Sequence, residues 1–214
     1  MVEHFANVPV RATGEVSKFT QRLARGVTRL IGWKVPAWEL PDDLKKVVVI
    51  GEHHTSNMDG FLMVLLVASM GRRLSWLVKT ELDQPIIGDM IRASGGIFVN
   101  RHHPNGTVGH VVEIIEHSDS IFLTLAPSST RSYTDRWRTG FYYMADGANV
   151  PVALGFLDYA NKEAGIGKVI HLSGDMAQDE PIFQDFYKDI TARFPEKTSE
   201  VRLVPREGQS DATD

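Results

Sequence analysis

The sequence predicts an α/β fold, namely a single domain with a mixed, largely parallel sheet flanked by helices. The first observation is that short β-branched runs alternate along the chain with segments of helical periodicity. The second is that polar tracts directly follow several of these runs, as expected where functional loops leave the ends of parallel strands. The length of 214 residues, 43% of them hydrophobic, suits one domain with a sizeable core.

The individual elements follow from local patterns. A β-branched run that ends in glycine predicts the first strand, and further apolar runs predict the others, in all at 45–51, 74–78, 95–99, 121–125, 151–157 and 169–172. Apolar residues at spacings of three and four predict helices at 58–70, 86–93, 106–117, 138–147 and 184–194. Ser56 or Asn57 suits the N-cap of the first of these helices, and Asp59 would lie in its first turn.

The segment before the first strand has a different character, because the stretch 11–34 carries six basic residues and one acidic residue. An apolar stripe and a basic stripe both recur there at helical spacing, the first formed by Val16, Phe19, Leu23, Val27 and Leu30 and the second by Lys18, Arg22, Arg25 and Arg29. Such a helix can lie in the headgroup region of a membrane, or it can pack on the domain with its cationic side solvated. We therefore divide the chain into an amphipathic helical segment (1–35), an α/β domain (36–205) and a polar, disordered tail (206–214).

Bulk composition excludes several classes of function. A formal net charge of −4 argues against general nucleic-acid binding. The absence of cysteine excludes disulfides, thiolate metal sites and a cysteine nucleophile, and the histidines show no metal-ligand spacing, so we expect no metal and no bound cofactor. The longest apolar run, 61–70, is about half of the ~20 residues needed to span a bilayer, and no signal-peptide pattern is present. We expect a cytoplasmic protein, either soluble or peripheral at the inner face of the membrane.

The tract from His53 to Gly60 carries the clearest chemical signal. His54 and Asp59 are separated by four residues across a predicted boundary between loop and helix. Across such a turn the carboxylate can fold back and hold the imidazole, which then removes a proton from a hydroxyl as a general base. The alternative is a capping aspartate beside a surface histidine, and the spacing by itself does not decide between them.

The order of four motifs makes the pattern more specific. After the His54-x4-Asp59 tract come Gly95-Gly96-Ile97-Phe98-Val99-Asn100-Arg101, then Pro127-Ser128-Ser129-Thr130-Arg131, then Val150-Pro151-Val152-Ala153-Leu154. In this order they resemble the four motifs of the lysophosphatidic acid and glycerol-3-phosphate acyltransferase superfamily, over roughly residues 53–157. The third motif of that superfamily is usually Pro-Glu-Gly-Thr-Arg.

The resemblance implies a site and a reaction. His54 and Asp59 would be catalytic, while Arg101, Thr130 and Arg131 would bind the substrate. A guanidinium offers a planar fork of donors that matches phosphate oxygens, which agrees with the role implied for the two arginines. The acyl donor would be acyl-CoA or acyl carrier protein as a co-substrate, and the acceptor a lysophospholipid-like molecule in phospholipid biosynthesis. The N-terminal helix would bring the site to a membrane surface.

The third motif is where the chain departs from the superfamily. Ser128 and Ser129 stand where glutamate and glycine are usual, so that loop lacks a carboxylate, and a positive φ would be disfavoured at 129. The acceptor could then differ from lysophosphatidic acid, the enzyme could be slow, or the chain could be a non-catalytic lipid-binding protein on the same fold. A thioesterase, with water as the acceptor, is a further alternative.

Overall fold

The computed structural model describes residues 16–34, 41, 43–99 and 106–205. Within them the helices are α1 (Lys18–Leu30), α2 (Asn57–Ser69), α3 (Ile87–Ser94), α4 (Gly106–His117), α5 (Gly140–Gly147) and α6 (Met176–Tyr187). The strands are β1 (Lys46–Glu52), β2 (Ser75–Lys79), β3 (Gly96–Val99), β4 (Ile121–Leu125), β5 (Val152–Asp158) and β6 (Glu163–Ile170). The α/β fold class is thereby confirmed.

The strands form one sheet in the order β3-β2-β4-β1-β5-β6. All the pairings are parallel except that of β5 with β6, which form an antiparallel hairpin. The chain moves from β1 outward to β2 and β3, then returns to β4 and crosses to β5 on the far side of β1. With right-handed crossovers, this order sends the outward and the returning helices to opposite faces of the sheet.

Side-chain contacts agree with that assignment. Met63 of α2 lies against Gly51 and Thr124, and Ile91 of α3 lies against Gly96. Because Trp76 is in register with both Thr124 and Gly96, these contacts fall on the same face, so α2 and α3 cover one side of the sheet together. α4, α5 and α6 bury the larger apolar core on the other side. α1 packs on α2 through Ala24 and Thr28, and Arg25 Nε donates to the Ser69 carbonyl oxygen at 2.7 Å.

The bounds predicted for two elements near the C-terminus were wrong. The strand predicted at 169–172 runs over Glu163–Ile170 and pairs antiparallel with β5. The helix predicted at 184–194 runs over Met176–Tyr187, with Asp175 as its N-cap and Pro181 inside it. Proline normally ends a helix, but here the fully buried Phe183 and Tyr187 hold α6 against the core. The proposed boundaries of the three segments remain predictions, and 1–15 and 206–214 lie outside the described residues.

Candidate active site

The site lies where two adjacent parallel strands send their chains to opposite faces of the sheet. From the carboxyl end of β1 the chain enters α2 on one face, and from the end of neighbouring β4 it leads to α5 on the other. Such a reversal leaves a crevice between the two strand ends, which is where α/β proteins bind ligands. His54 follows β1 and Arg131 follows β4, so the topology brings the first and third motifs together.

Asp59 is held by four hydrogen bonds at the start of α2. Its Oδ2 accepts from the backbone N–H groups of Thr55 and Ser56, each at 2.7 Å. Its Oδ1 accepts from the Ser56 hydroxyl and from the Tyr159 hydroxyl, each at 2.6 Å. With 1% of its surface exposed, the carboxylate is fixed, and it caps the helix while also facing His54. One side chain thus caps the helix and lies beside the imidazole of His54.

His54 presents one edge of its ring to that carboxylate. Its Nδ1 lies 3.7 Å from Asp59 Oδ2, a distance at which the attraction is electrostatic rather than a direct hydrogen bond. The side chain is 27% exposed, so solvent and substrate can reach it. Partial burial lowers the pKa of His54 below its ordinary value, an effect that Asp59 opposes and Arg131 reinforces. The imidazole is therefore neutral at neutral pH, which is the state a general base requires.

The loop after β4 brings one predicted arginine to the site. The Arg131 guanidinium donates to Asn57 Oδ1 in the first turn of α2, within the tract from His53 to Gly60. Thr130 lies in the same loop, where its hydroxyl accepts from the Ser132 backbone N–H at 3.2 Å, a contact local to the turn. Arg101 lies outside the described residues, so its role remains a prediction.

The same loop has, at the position of Ser129, a backbone conformation that is typical of glycine. Ser129, at the position where glycine is usual, has φ = 53°, in the left-handed region that disfavours residues with a Cβ. A non-glycine residue in this conformation costs roughly 1–2 kcal/mol. The left-handed turn is thus present although the sequence departs from the motif.

Two residues of the site were missed by sequence reasoning. Tyr159, just after β5, donates to Asp59 across a sequence separation of 100 residues. Glu52, the last residue of β1, is buried and accepts from the backbone N–H groups of His54 and Ser128. A glutamate next to a histidine-rich tract was a visible signal for the second residue, whereas nothing local marks the first.

His53 has a separate, buried environment. Its Nε2 lies 3.3 Å from the Tyr187 carbonyl oxygen, and the two rings pack edge to face. Burial lowers the pKa of His53, so its ring is neutral and belongs to the packing against α6. Among the described residues, no group of three or more histidine, aspartate or glutamate side chains is placed to hold a metal ion.

Comparison with known families agrees with this geometry. The family model described as Acyltransferase matches residues 35–154, which include β1, the His54 turn, β4 and the Arg131 loop. The chain belongs to the acyltransferase family. The resemblance drawn from the four motifs is thereby confirmed at the level of the superfamily. No curated protein sequence matches this acyltransferase.

A solved structure with a similar fold is known. It is the 1-acyl-sn-glycerophosphate (LPA) acyltransferase PlsC from Thermotoga maritima, with a TM-score of 0.54 and 14% sequence identity. The match covers 82% of this acyltransferase and 81% of that chain. At this identity the likeness concerns the arrangement of the sheet and helices.

The exposed apolar side chains of this acyltransferase lie predominantly on one side. In the part of the chain that the structure describes, thirteen large apolar side chains are exposed, and all but Tyr133 come from α1, α2, β2, α3 and the residues joining them. In α1 the predicted apolar stripe faces outward, with Phe19 76%, Leu23 58% and Leu30 87% exposed. No described helix is both long and apolar enough to cross a bilayer. We call the exposed apolar residues of α1, α2, β2 and α3, with those that join them, the apolar side.

Proposed function

We propose that this acyltransferase moves a fatty acyl group from acyl-CoA or acyl carrier protein to the hydroxyl of a lysophospholipid-like acceptor, of the 1-acylglycerol-3-phosphate type, in phospholipid biosynthesis. The observation that carries the proposal is the accessible imidazole of His54, whose Nδ1 lies 3.7 Å from the buried Asp59 carboxylate, with the Arg131 guanidinium across the crevice. The family membership and the shared fold support the reaction class.

In the proposed mechanism, His54 removes the proton from the acceptor hydroxyl as its oxygen attacks the thioester carbonyl. The new ester C–O bond forms, the C–S bond breaks, and the imidazolium returns the proton to the departing thiolate. Asp59 stabilises the imidazolium and fixes the ring, since its Oδ2 faces Nδ1 and leaves Nε2 for the substrate. No covalent acyl-enzyme is required.

Arg131 and Arg101 are proposed to bind the anionic headgroup of the acceptor. This role is supported by the contact of the Arg131 guanidinium with Asn57 in the first turn of α2, because a phosphate bound by Arg131 would then lie near His54. Thr130 is proposed as a further substrate contact through its position in the same loop.

We also propose that the protein is cytoplasmic and binds the inner face of the membrane through the apolar side, with α1 as its main contact. The outward apolar stripe of α1 runs beside exposed basic residues such as Arg22 and Arg29, a combination suited to anionic headgroups. Both lipid substrates would reach the site from that surface.

The experiment that tests the reaction is mass spectrometry of the products formed from acyl-CoA and a panel of lysophospholipids, together with an assay of released thiol. We expect a diacyl product that is lost in His54→Ala and retained in His171→Ala, where an exposed histidine distant in sequence is removed. Thiol release that does not depend on any acceptor would identify a thioesterase. Lipid binding without thiol release would identify a non-catalytic lipid-binding protein, the alternative that Ser128 and Ser129 favour.

A further inference from the structure

The buried carboxylate of Glu52 lies between the two loops of the site. It stands at the carboxyl end of β1, and only 3% of its surface is exposed. Burying a carboxyl group is costly unless its oxygens are paired, so a glutamate retained in this place needs partners. Among the described residues, two backbone N–H groups donate to its oxygens and the side chain of Ser128 also interacts with it, although burial still raises the pKa of Glu52.

Each carboxylate oxygen of Glu52 accepts a hydrogen bond from a different loop. Oε2 accepts from the backbone N–H of His54 at 3.0 Å, and Oε1 accepts from the backbone N–H of Ser128 at 2.5 Å. The first donor belongs to the residue proposed as the base, and the second lies three residues before Arg131. One carboxylate therefore connects the His54 turn to the Arg131 loop across the crevice.

The third motif lacks its usual carboxylate at the position that Glu52 contacts. Ser128 stands there, and its hydroxyl turns back to donate to the Thr130 carbonyl oxygen at 3.1 Å. A carboxylate supplied from β1 thus lies beside the residue whose own carboxylate is missing.

We propose that Glu52 is a positioning residue that fixes the position of the His54 turn relative to the Arg131 loop. It does so in place of a carboxylate at 128. It acts through the backbone of both loops rather than on the substrate. The proposal deepens the function proposed above and rests on it for its catalytic consequence.

The test uses Glu52→Gln, which keeps the size of the side chain but leaves one of the two N–H donors without its acceptor. We expect kcat to fall by up to about a hundredfold, as for a displacement of about 1 Å in a reacting group. The charges that shift the pKa of His54 are those of Asp59 and Arg131, so we expect the acid limb of the pH profile to stay in place. A Glu52→Ser, Ser128→Glu double variant, which returns the carboxylate to the loop, should recover activity relative to Glu52→Ser alone.

A second measurement is independent of activity. Hydrogen exchange of the backbone amides should quicken in Glu52→Gln at 53–56 and 126–131, with the sheet core unchanged. The matched control is Glu180→Gln, which removes a carboxylate that accepts from the Leu203 N–H at 2.5 Å, outside the proposed machinery. Unchanged exchange in both loops, or wild-type kcat and KM, would overturn the positioning role. Altered exchange in a protein without acyl transfer would instead contradict the function and leave the positioning role intact.

Discussion

At the scale of single residues, the charge of Arg131 leads to a prediction about how activity depends on pH. Burial lowers the pKa of His54, Asp59 opposes this and Arg131 reinforces it, so activity should fall only when the pH drops through a value below about 6.5, the ordinary pKa of histidine. In Arg131→Met the pKa of His54 rises, and the acid limb of kcat/KM should move to higher pH. Loss of a charged contact worth about 1.5–3 kcal/mol should also raise KM for the acceptor roughly ten- to a hundredfold.

The control for this experiment is Arg138→Met, an exposed arginine further along the same chain segment. Its pH profile and KM should match those of the wild type. An unmoved acid limb in Arg131→Met would show that this guanidinium does not act on the base.

Tyr159 gives a second prediction, since its hydroxyl donates to Asp59 Oδ1 at 2.6 Å. Burial and Asp59 raise the pKa of Tyr159 well above its ordinary value, so it stays a donor over any practical assay range. Tyr159→Phe removes a hydrogen bond to a charged group, worth about 1.5–3 kcal/mol, and should lower both kcat and the thermal midpoint. The control is Tyr133→Phe, which removes an exposed hydroxyl that donates to Glu200 and should change neither kcat nor the thermal midpoint. If the two variants behaved alike, the hydrogen bond from Tyr159 to Asp59 would have no special role.

The sequence determines much of the residue-level picture but not all of it. The His54-x4-Asp59 tract was visible because both residues lie in one turn. Tyr159 and Glu52 were missed for different reasons. Tyr159 meets Asp59 only through the pairing of β5 with β1, and Glu52 was read as the start of a polar turn rather than as the end of a buried strand.

At the scale of elements, the strands and helices between 45 and 158 lie within a few residues of their predicted positions. Each of these segments has regularly spaced apolar residues and is bounded by polar residues or by glycine. The failures at β6 and α6 have a common physical basis, because tertiary contacts override local signals there. β6 is held by pairing along β5 even though it contains Gly165 and Gly167, and α6 tolerates Pro181 because its buried face packs on the core.

α1 provides the prediction at this scale. It packs on α2 with small residues and leaves Phe19 and Leu23 exposed. Replacing both with serine removes apolar area that could enter a bilayer, where burying each side chain would contribute up to about 1.5–3 kcal/mol. Co-sedimentation with anionic lipid vesicles should therefore weaken at least about tenfold.

The matched control is Tyr133→Ser, which removes the one exposed large apolar side chain of the described residues that lies outside the apolar side. Vesicle binding of this variant should equal that of the wild type. If the Phe19 and Leu23 double variant bound equally well, α1 would not be the membrane contact.

At the scale of the whole molecule, Trp137 anchors the segment that follows the Arg131 loop in the hydrophobic core. Its ring is 1% exposed and packs edge to face against Phe141, Phe183 and Tyr187. Trp137→Ala should lower the free energy of unfolding by about 3–5 kcal/mol, measured by urea denaturation. Trp76→Ala, at a tryptophan that is 38% exposed, should cost clearly less, and similar losses would contradict this account of the core.

The one-sided distribution of exposed apolar groups has a consequence for the protein away from lipid. Two copies can shield phenylalanine, leucine, isoleucine and methionine side chains from water by meeting through these faces. We therefore expect concentration-dependent self-association in plain buffer, with the sedimentation coefficient falling to that of a single chain bound to detergent once micelles are added. Enzyme assays without detergent or lipid would then measure a population in which these faces are covered by another copy.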